Sequence, residues 1–242
     1  MARVEEFSRK KLNKNDTLLK KKILSLPVEH VEVKSGSKIS DLVGNFKNSS
    51  IQARNIYKCA NVFRKMLQDK TQPTIYLGLA GPLIAAGLRD IIRNMIKFKM
   101  VDIIVATGAI IYQDIYQARG FKHYIGSPDA DDRTLDKLRI DRIYDTYVDD
   151  EKFWDTDNWI GRVADTMKPG NYSSREFTDI IASRLNDENS IVRTAHRYGV
   201  PIFMPALNDS SIGIGLTGHY HRCRKNNKPG VHIDSIQDNY EI

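Results

Sequence analysis

Apolar positions along the chain repeat with two different periods. Thr74 to Leu79 is a short β-favouring run, and Val101 to Val105 is nearly all apolar, as expected of a strand covered on both faces of a parallel sheet. Between them, Ile84, Leu88, Ile91, Ile92, Met95 and Ile96 form the stripe of an amphipathic helix, with Arg89, Asp90, Arg93 and Asn94 on the opposite face. Ala80-Gly81-Pro82 breaks the first strand, and Pro82 suits a first helical position because its missing N–H costs nothing there. Ala106-Thr107-Gly108-Ala109 follows the second strand with small residues that let a ligand approach the backbone. The pattern predicts a βαβ unit whose strands end in small-residue turns, where ligands bind in open α/β sheets.

The rest of the chain continues the alternation. Val31 and Val33 alternate with polar residues and predict a short strand or extended arm ending at Gly36, followed by a helix over Ile39 to Phe46. Ser49 and Gln52 have the spacing of a capping box, opening a helix that buries Ile56, Cys59, Ala60, Phe63, Met66 and Leu67. A short helix is expected over Ile115 to Arg119, one strand over Arg142 to Val148, and a helix over 151–167 with Phe153, Trp154, Trp159, Ile160 and Val163 on its apolar side. Ser173 and Glu176 form a second capping box, opening a helix to about Leu185, and Ile191 to Tyr198 is a helix ended by Gly199. Pro201 to Ala206 reads as a buried strand, running into the polar and small residues Asn208 to Gly215, and Val231 to Ile233 is the last strand. Strands alternating with helices predict an α/β fold with a mostly parallel sheet and flanking helices.

Composition narrows the setting. The 242 residues allow one substantial core, and no stretch approaches the roughly 20 apolar residues of a membrane span. The N-terminus lacks the apolar segment of a secretory signal, and the two cysteines, Cys59 and Cys223, lie far apart, so the expected compartment is the reducing cytoplasm. The net charge of +7 is concentrated at the start, where residues 1–25 hold eight Lys/Arg against three acids. We read residues 1–29 as a basic arm. A solvated terminal helix outweighs phosphate tracking here, because only Phe7 interleaves with the basic residues, and nucleic acid is not the expected partner.

Isolated chemical motifs are weak. Gly78, Gly81 and Gly87 match neither the dinucleotide fingerprint nor a P-loop, and packing glycines are the competing reading. Asp129, Asp131 and Asp132 read as a solvated loop and helix cap ahead of a cation site. His219 and His221 do not share a helical face, so no metal site is expected there.

Longer stretches are more specific. IQARN (51–55), YLGLAGPLIAAGLRDIIRNMIKFKMVDIIVATGA (76–109), DRIYDTYV (141–148), FWDTDNWI (153–160), VPIFMPALNDSSIG (200–213) and VHIDSIQD (231–238) together resemble, in order and spacing, the deoxyhypusine synthases and their deoxyhypusine-synthase-like relatives. Ala80-Gly81-Pro82 and ATGAIIYQD look more like the deoxyhypusine-synthase-like branch than the eukaryotic enzymes. The resemblance implies a Rossmann-like NAD domain over residues 30–242 and an oligomer, homo- or hetero-oligomeric and of tetramer type, with active sites at dimer interfaces. It also implies the family's reaction: NAD takes a hydride from spermidine, and the aminobutyl group passes through an enzyme lysine to a lysine of the precursor of translation initiation factor five A. The cofactor positions carried over are Gly81, Ala86, Thr107, Gly108, Ala109, Tyr112, Gln113 and Asp209. Asp209 matches the aspartate of the family's PALTD motif, with a helix N-cap as its other reading.

The departures from the family are specific. Tyr112 and Gln113 stand where eukaryotic enzymes have two adjacent glutamates, and Ile214 where they hold a substrate amine with an aspartate. The family's second glycine-rich cofactor loop and its tryptophan-glycine-lysine motif have no match here, since Trp154 precedes Asp155 and Trp159 precedes Ile160. No catalytic residue is therefore assigned, and the fold is expected to be incomplete without a C-terminal portion. The expectation is a transferase that needs another chain for activity. The alternatives are a non-catalytic regulatory paralogue and a polyamine aminobutyltransferase of homospermidine type.

Overall fold

The computed structural model describes residues 11–242, so Arg3, Arg9 and Lys10 of the basic arm lie outside the described residues. The chain divides into two units, ending and beginning at Pro73 and Thr74.

The first unit is helical. Helix α1 (Lys14–Ile23) is capped by Asn13, whose side chain accepts the Asp16 N–H, and carries Lys20, Lys21 and Lys22 in its last turn. Helix α2 (Ile39–Asn45) runs through a 3-10 turn (Phe46–Asn48) to α3 (Ile51–Gln68). Three expectations change here. Residues 24–38 form no strand. The Ser49/Gln52 box is not used, because α3 starts after Ser50, whose side chain makes no cap bond. No residue of α3 is buried: Ile56, Cys59, Ala60 and Leu67 are exposed, and Phe63 and Met66 half-buried.

The second unit is α/β, with small, mostly parallel sheets. Strands β1 (Tyr76–Leu79), β2 (Ile103–Ala106) and β7 (Ile202–Phe203) form a parallel sheet in the order β1-β2-β7. Leu79 lies opposite Ala106 and Val105 opposite Phe203, which brings the three carboxyl ends to one edge. A second parallel pair joins β6 (Gly170–Tyr172) to β8 (Val231–Ile233). The expected single strand over 142–148 is an antiparallel hairpin, β4 (Ile140–Ile143) and β5 (Thr146–Asp149), with β3 (Tyr124–Ile125) on its other side. Its turn passes through Tyr144 at φ +59°, a bend that the alternating pattern conceals.

The helix expected from Pro82 begins only at Arg89, as α4 (Arg89–Lys97). Gly87 sits at φ +82°, which a helical residue cannot adopt, so residues 81–87 stay a turn and Ile84 is buried from it. Helix α5 (Gly108–Ala118) starts directly after β2, earlier and longer than the helix expected from Ile115, and eight of its residues are buried. Helices α6 (Asp132–Lys137), α7 (Asp150–Asp165), α8 (Ser174–Ser183), α9 (Ile191–Tyr198), α10 (Ser211–Lys225) and α11 (Ser235–Glu241) complete the unit. Helices α7 and α10 pack closely where a Cβ on Gly161 would come within 2.7 Å of the Gly215 carbonyl oxygen. No helix among the described residues is long and apolar enough to cross a membrane.

Candidate functional site

The carboxyl ends of β1, β2 and β7 carry exposed small residues: Ala80, Gly81 and Ala86 after β1, Thr107 and Ala109 after β2, and Ala206 after β7. Gly81 takes φ +78°, the left-handed conformation that favours glycine. Thr107 N–H donates to the Leu79 carbonyl at 3.1 Å, stitching the first two ends together. Thr107 is the N-cap of α5, but its side chain makes no cap hydrogen bond. The first amides of an eleven-residue helix are thus left for another acceptor, and its positive end faces the rim.

Gly108 brings the third strand end into place. A Cβ there would lie 2.7 Å from Ser210 Cβ and 3.3 Å from the Leu207 carbonyl oxygen. The loop after β7 therefore rests on the start of α5. Ser210 Oγ donates to Leu207 O at 2.6 Å and Asp209 N to Ala206 O at 3.0 Å, which shapes the loop. Asp209 is exposed on it, and its carboxylate accepts no hydrogen bond from the described residues.

Tyr112 and Gln113 point inward. Gln113 is 6% exposed, and its Oε1 accepts the Ala85 N–H at 3.2 Å, tying the 81–87 turn to α5. Tyr112 donates its hydroxyl to the Phe153 carbonyl at 2.9 Å and packs edge-to-face on the Phe153 ring. Burial, then the neighbouring Asp157 carboxyl, raises the Tyr112 pKa, and burial likewise raises that of Asp157. Tyr112 and Gln113 thus support the rim from behind.

Sequence reasoning missed the polar centre beneath this rim. Asp114 is fully buried on α5 and accepts hydrogen bonds from Arg89 Nε, Ser190 Oγ and the backbone N–H groups of Ile191 and Val192. It caps α9 from another element, while Arg89 also reaches Asp187 at 2.9 Å. Burial opposes the Arg89 charge, but Asp114 and Asp187 outweigh it, so its pKa is raised.

Asp131 accepts the Thr134 N–H at the start of α6, and Asp132 pairs with Arg142 at 2.9 Å. His219 is buried, with Nδ1 at 2.6 Å from Asp165 and Nε2 accepting the Val231 N–H at 3.0 Å, while His221 is exposed. No group of three or more His, Cys, Asp or Glu among the described residues is placed to hold a metal ion.

A model of the deoxyhypusine synthase family matches residues 41–242. A deoxyhypusine synthase-like protein of Chlorobaculum parvum is 42% identical over 224 residues, which cover 90% of this chain and 63% of that protein. One from Coxiella burnetii is 40% identical over 238 residues, 95% of this chain and 66% of that protein. The chain thus spans just under two thirds of the length of these relatives. In three dimensions it is similar to a candidate deoxyhypusine synthase from Entamoeba histolytica, with a TM-score of 0.62 and 22% identity over 87% of this chain and 72% of that one.

Proposed function

The chain belongs to the deoxyhypusine synthase family, and on that premise we propose that it binds NAD across the carboxyl ends of β1, β2 and β7. In this reading residues 30–242 form a Rossmann-like NAD domain behind the basic arm 1–29. The observation that carries it is the uncapped first turn of α5, set among exposed small residues with Asp209 at its edge. The Gly108 and Ala109 amides donate to phosphate oxygens at the positive end of α5. Asp209 accepts hydrogen bonds from ribose hydroxyls. Gly81 and Ala86 leave room for the backbone to approach, and Gln113 holds their turn through Ala85. NAD, when bound, supplies hydride acceptance.

The reaction proposed is transfer of the spermidine aminobutyl group to a lysine of the precursor of translation initiation factor five A, in a cytoplasmic oligomer. Residues 1–242 contain no tryptophan-glycine-lysine motif, so this reading assigns the nucleophilic lysine to polypeptide outside them. Tyr112, Gln113 and Ile214 in place of amine-holding acids favour a second reading, a non-catalytic regulatory member of the family or a homospermidine-type transferase.

Calorimetric titration with NAD tests the cofactor reading, with saturable binding expected and no binding overturning it. Turnover of spermidine and the precursor, with and without a family member that bears the lysine motif, separates the catalytic reading from the regulatory one.

A further inference from the structure

Helix α1 has no buried residue, and exposure runs unbroken from Lys11 to His30. Leu12, Leu18, Leu19, Ile23, Leu24 and Leu26 are each more than half exposed. The helix is nevertheless set by its own sequence. Asn13 Oδ1 accepts the Asp16 N–H at 2.8 Å, Thr17 Oγ1 donates to the Asn13 carbonyl at 2.8 Å, and the Leu24 N–H closes the last turn on the Lys20 carbonyl at 2.9 Å. Leu19 and Ile23, one turn apart, share a side of α1 that Lys20 and Lys22 flank, with Lys14 and Lys21 opposite. A helix that is only solvated carries polar residues all round, and single exposed leucines are ordinary, but a run of exposed aliphatic residues marks a contact surface. Its charge has one sign. Residues 11–26 hold five lysines against one acid, Asp16, which accepts from Asn13 Nδ2 at 2.8 Å. Among the described residues of this unit, the lysine that pairs with an acid is Lys34, with Glu32, so the lysines of α1 face solvent without an anion.

We propose that α1 lies flat on an anionic phospholipid surface, with Leu19 and Ile23 at the acyl boundary and the Lys20 and Lys22 ammonium groups among the lipid phosphates. The aliphatic stems of the two lysines lie along the apolar side while their charged ends reach the headgroups. Charge complementarity selects this partner over the others. A second copy of α1 would set like charges against each other. Single-stranded RNA would leave the leucines without a role, and α1 offers no aromatic ring on which a base could stack. Specific protein grooves are anchored chiefly by Trp, Tyr and Arg, none of which α1 contains. Aliphatic side chains with point charges instead suit a fluid surface that needs no fixed shape. A ten-residue helix gives reversible, salt-sensitive attachment of this kind. The surface belongs to the first unit and does not depend on NAD binding.

Co-sedimentation of the full chain with vesicles of phosphatidylcholine, and of phosphatidylcholine mixed equally with phosphatidylglycerol, tests the surface. Binding to the mixed vesicles is expected to be at least tenfold tighter, and to be largely lost when salt is raised to about 0.5 M. Leu19→Gln with Ile23→Gln removes the apolar side and keeps every charge, whereas Lys20→Gln with Lys22→Gln removes two flanking charges and keeps the apolar side. Each pair is expected to lower affinity for the mixed vesicles at least tenfold. All four positions are exposed and glutamine is a good helix former, so circular dichroism is expected to stay unchanged. Binding to neither vesicle, equal binding to both, or anionic binding that the Leu19 and Ile23 substitutions leave intact overturns the proposal. Tighter binding to single-stranded RNA or to polyglutamate than to the mixed vesicles also overturns it. So does a fall in molecular mass by light scattering when Leu19 and Ile23 are replaced, which would place a second copy on this side.

Discussion

Asp114 Oδ1 accepts a hydrogen bond from Arg89 Nε at 2.6 Å, across 25 residues of sequence, and the aspartate is wholly buried. The same carboxylate takes the Ser190 hydroxyl and the first N–H groups of α9. One side chain thus neutralises an arginine and caps a helix, joining α4, α5 and α9 beneath the rim.

Asp114→Ala leaves the largely buried Arg89 guanidinium with Asp187 alone and the first amides of α9 without their acceptor. A loss of about 3–5 kcal/mol is expected, the range for breaking a buried pair by removing one partner. Urea unfolding checks it, and a loss below about 1 kcal/mol would show that water replaces the carboxylate.

Gly108→Ala tests the approach of the β7 loop to α5. The added methyl meets Ser210 Cβ and the Leu207 carbonyl, so overpacking is expected to cost about 1–3 kcal/mol and to weaken NAD binding. Adding Ser210→Gly removes the side chain in the way and is expected to recover part of both losses. Unfolding and calorimetric titrations on the single and double variants measure the recovery.

His123 gives a pH dependence. Burial, followed by the nearby Arg89 charge, lowers its pKa from 6.5 to about 4, and its Nδ1 lies 2.9 Å from the Gln117 amide nitrogen. Between these two values the unfolded chain binds more protons at this site than the folded one. The contribution is therefore fully present above pH 6.5 and is lost as pH falls toward 4. His123→Gln is expected to flatten this part of the stability profile relative to wild type, and equal slopes for the two proteins would refute the assignment.

Elements whose signals are local were legible in the sequence. The Ser173/Glu176 box forms as read, with both reciprocal hydrogen bonds, and Gly199 ends α9 at φ +70°. The stripe from Ile84 to Ile96 misled because its spacing does not reveal the left-handed Gly87. The hairpin at Tyr144 was hidden because alternation continues through the turn in sequence while the chain reverses in space. Asp114 was unreadable for a different reason: its Ser190 partner lies 76 residues away and is brought close only by the fold. At the rim, the small residues could be read from the sequence, whereas the inward turn of Tyr112 and Gln113 depends on packing against Phe153 and Ala85.

Ser173→Ala removes the side-chain acceptor of the α8 box and the hydroxyl that donates to Glu241 at 3.0 Å. A loss of about 1 kcal/mol is expected for the cap. Thermal unfolding checks it, and Ser173→Thr, which keeps the hydroxyl, is expected to retain most of the stability.

Thr107→Asp separates stability from binding at the rim. Thr107 has the extended backbone of an N-cap, at φ −69° and ψ 147°, but makes no cap bond, so a carboxylate there gains the free amides of α5 and its positive end. The helix should be stabilised by about 0.3–1 kcal/mol. The same carboxylate occupies the donors assigned to phosphate and repels an anion, so NAD affinity is expected to fall at least tenfold. A general disruption of the fold would lower both quantities, whereas the proposed phosphate site requires them to move in opposite directions. A variant that is more stable yet binds NAD unchanged would mean that the phosphates do not lie at the start of α5.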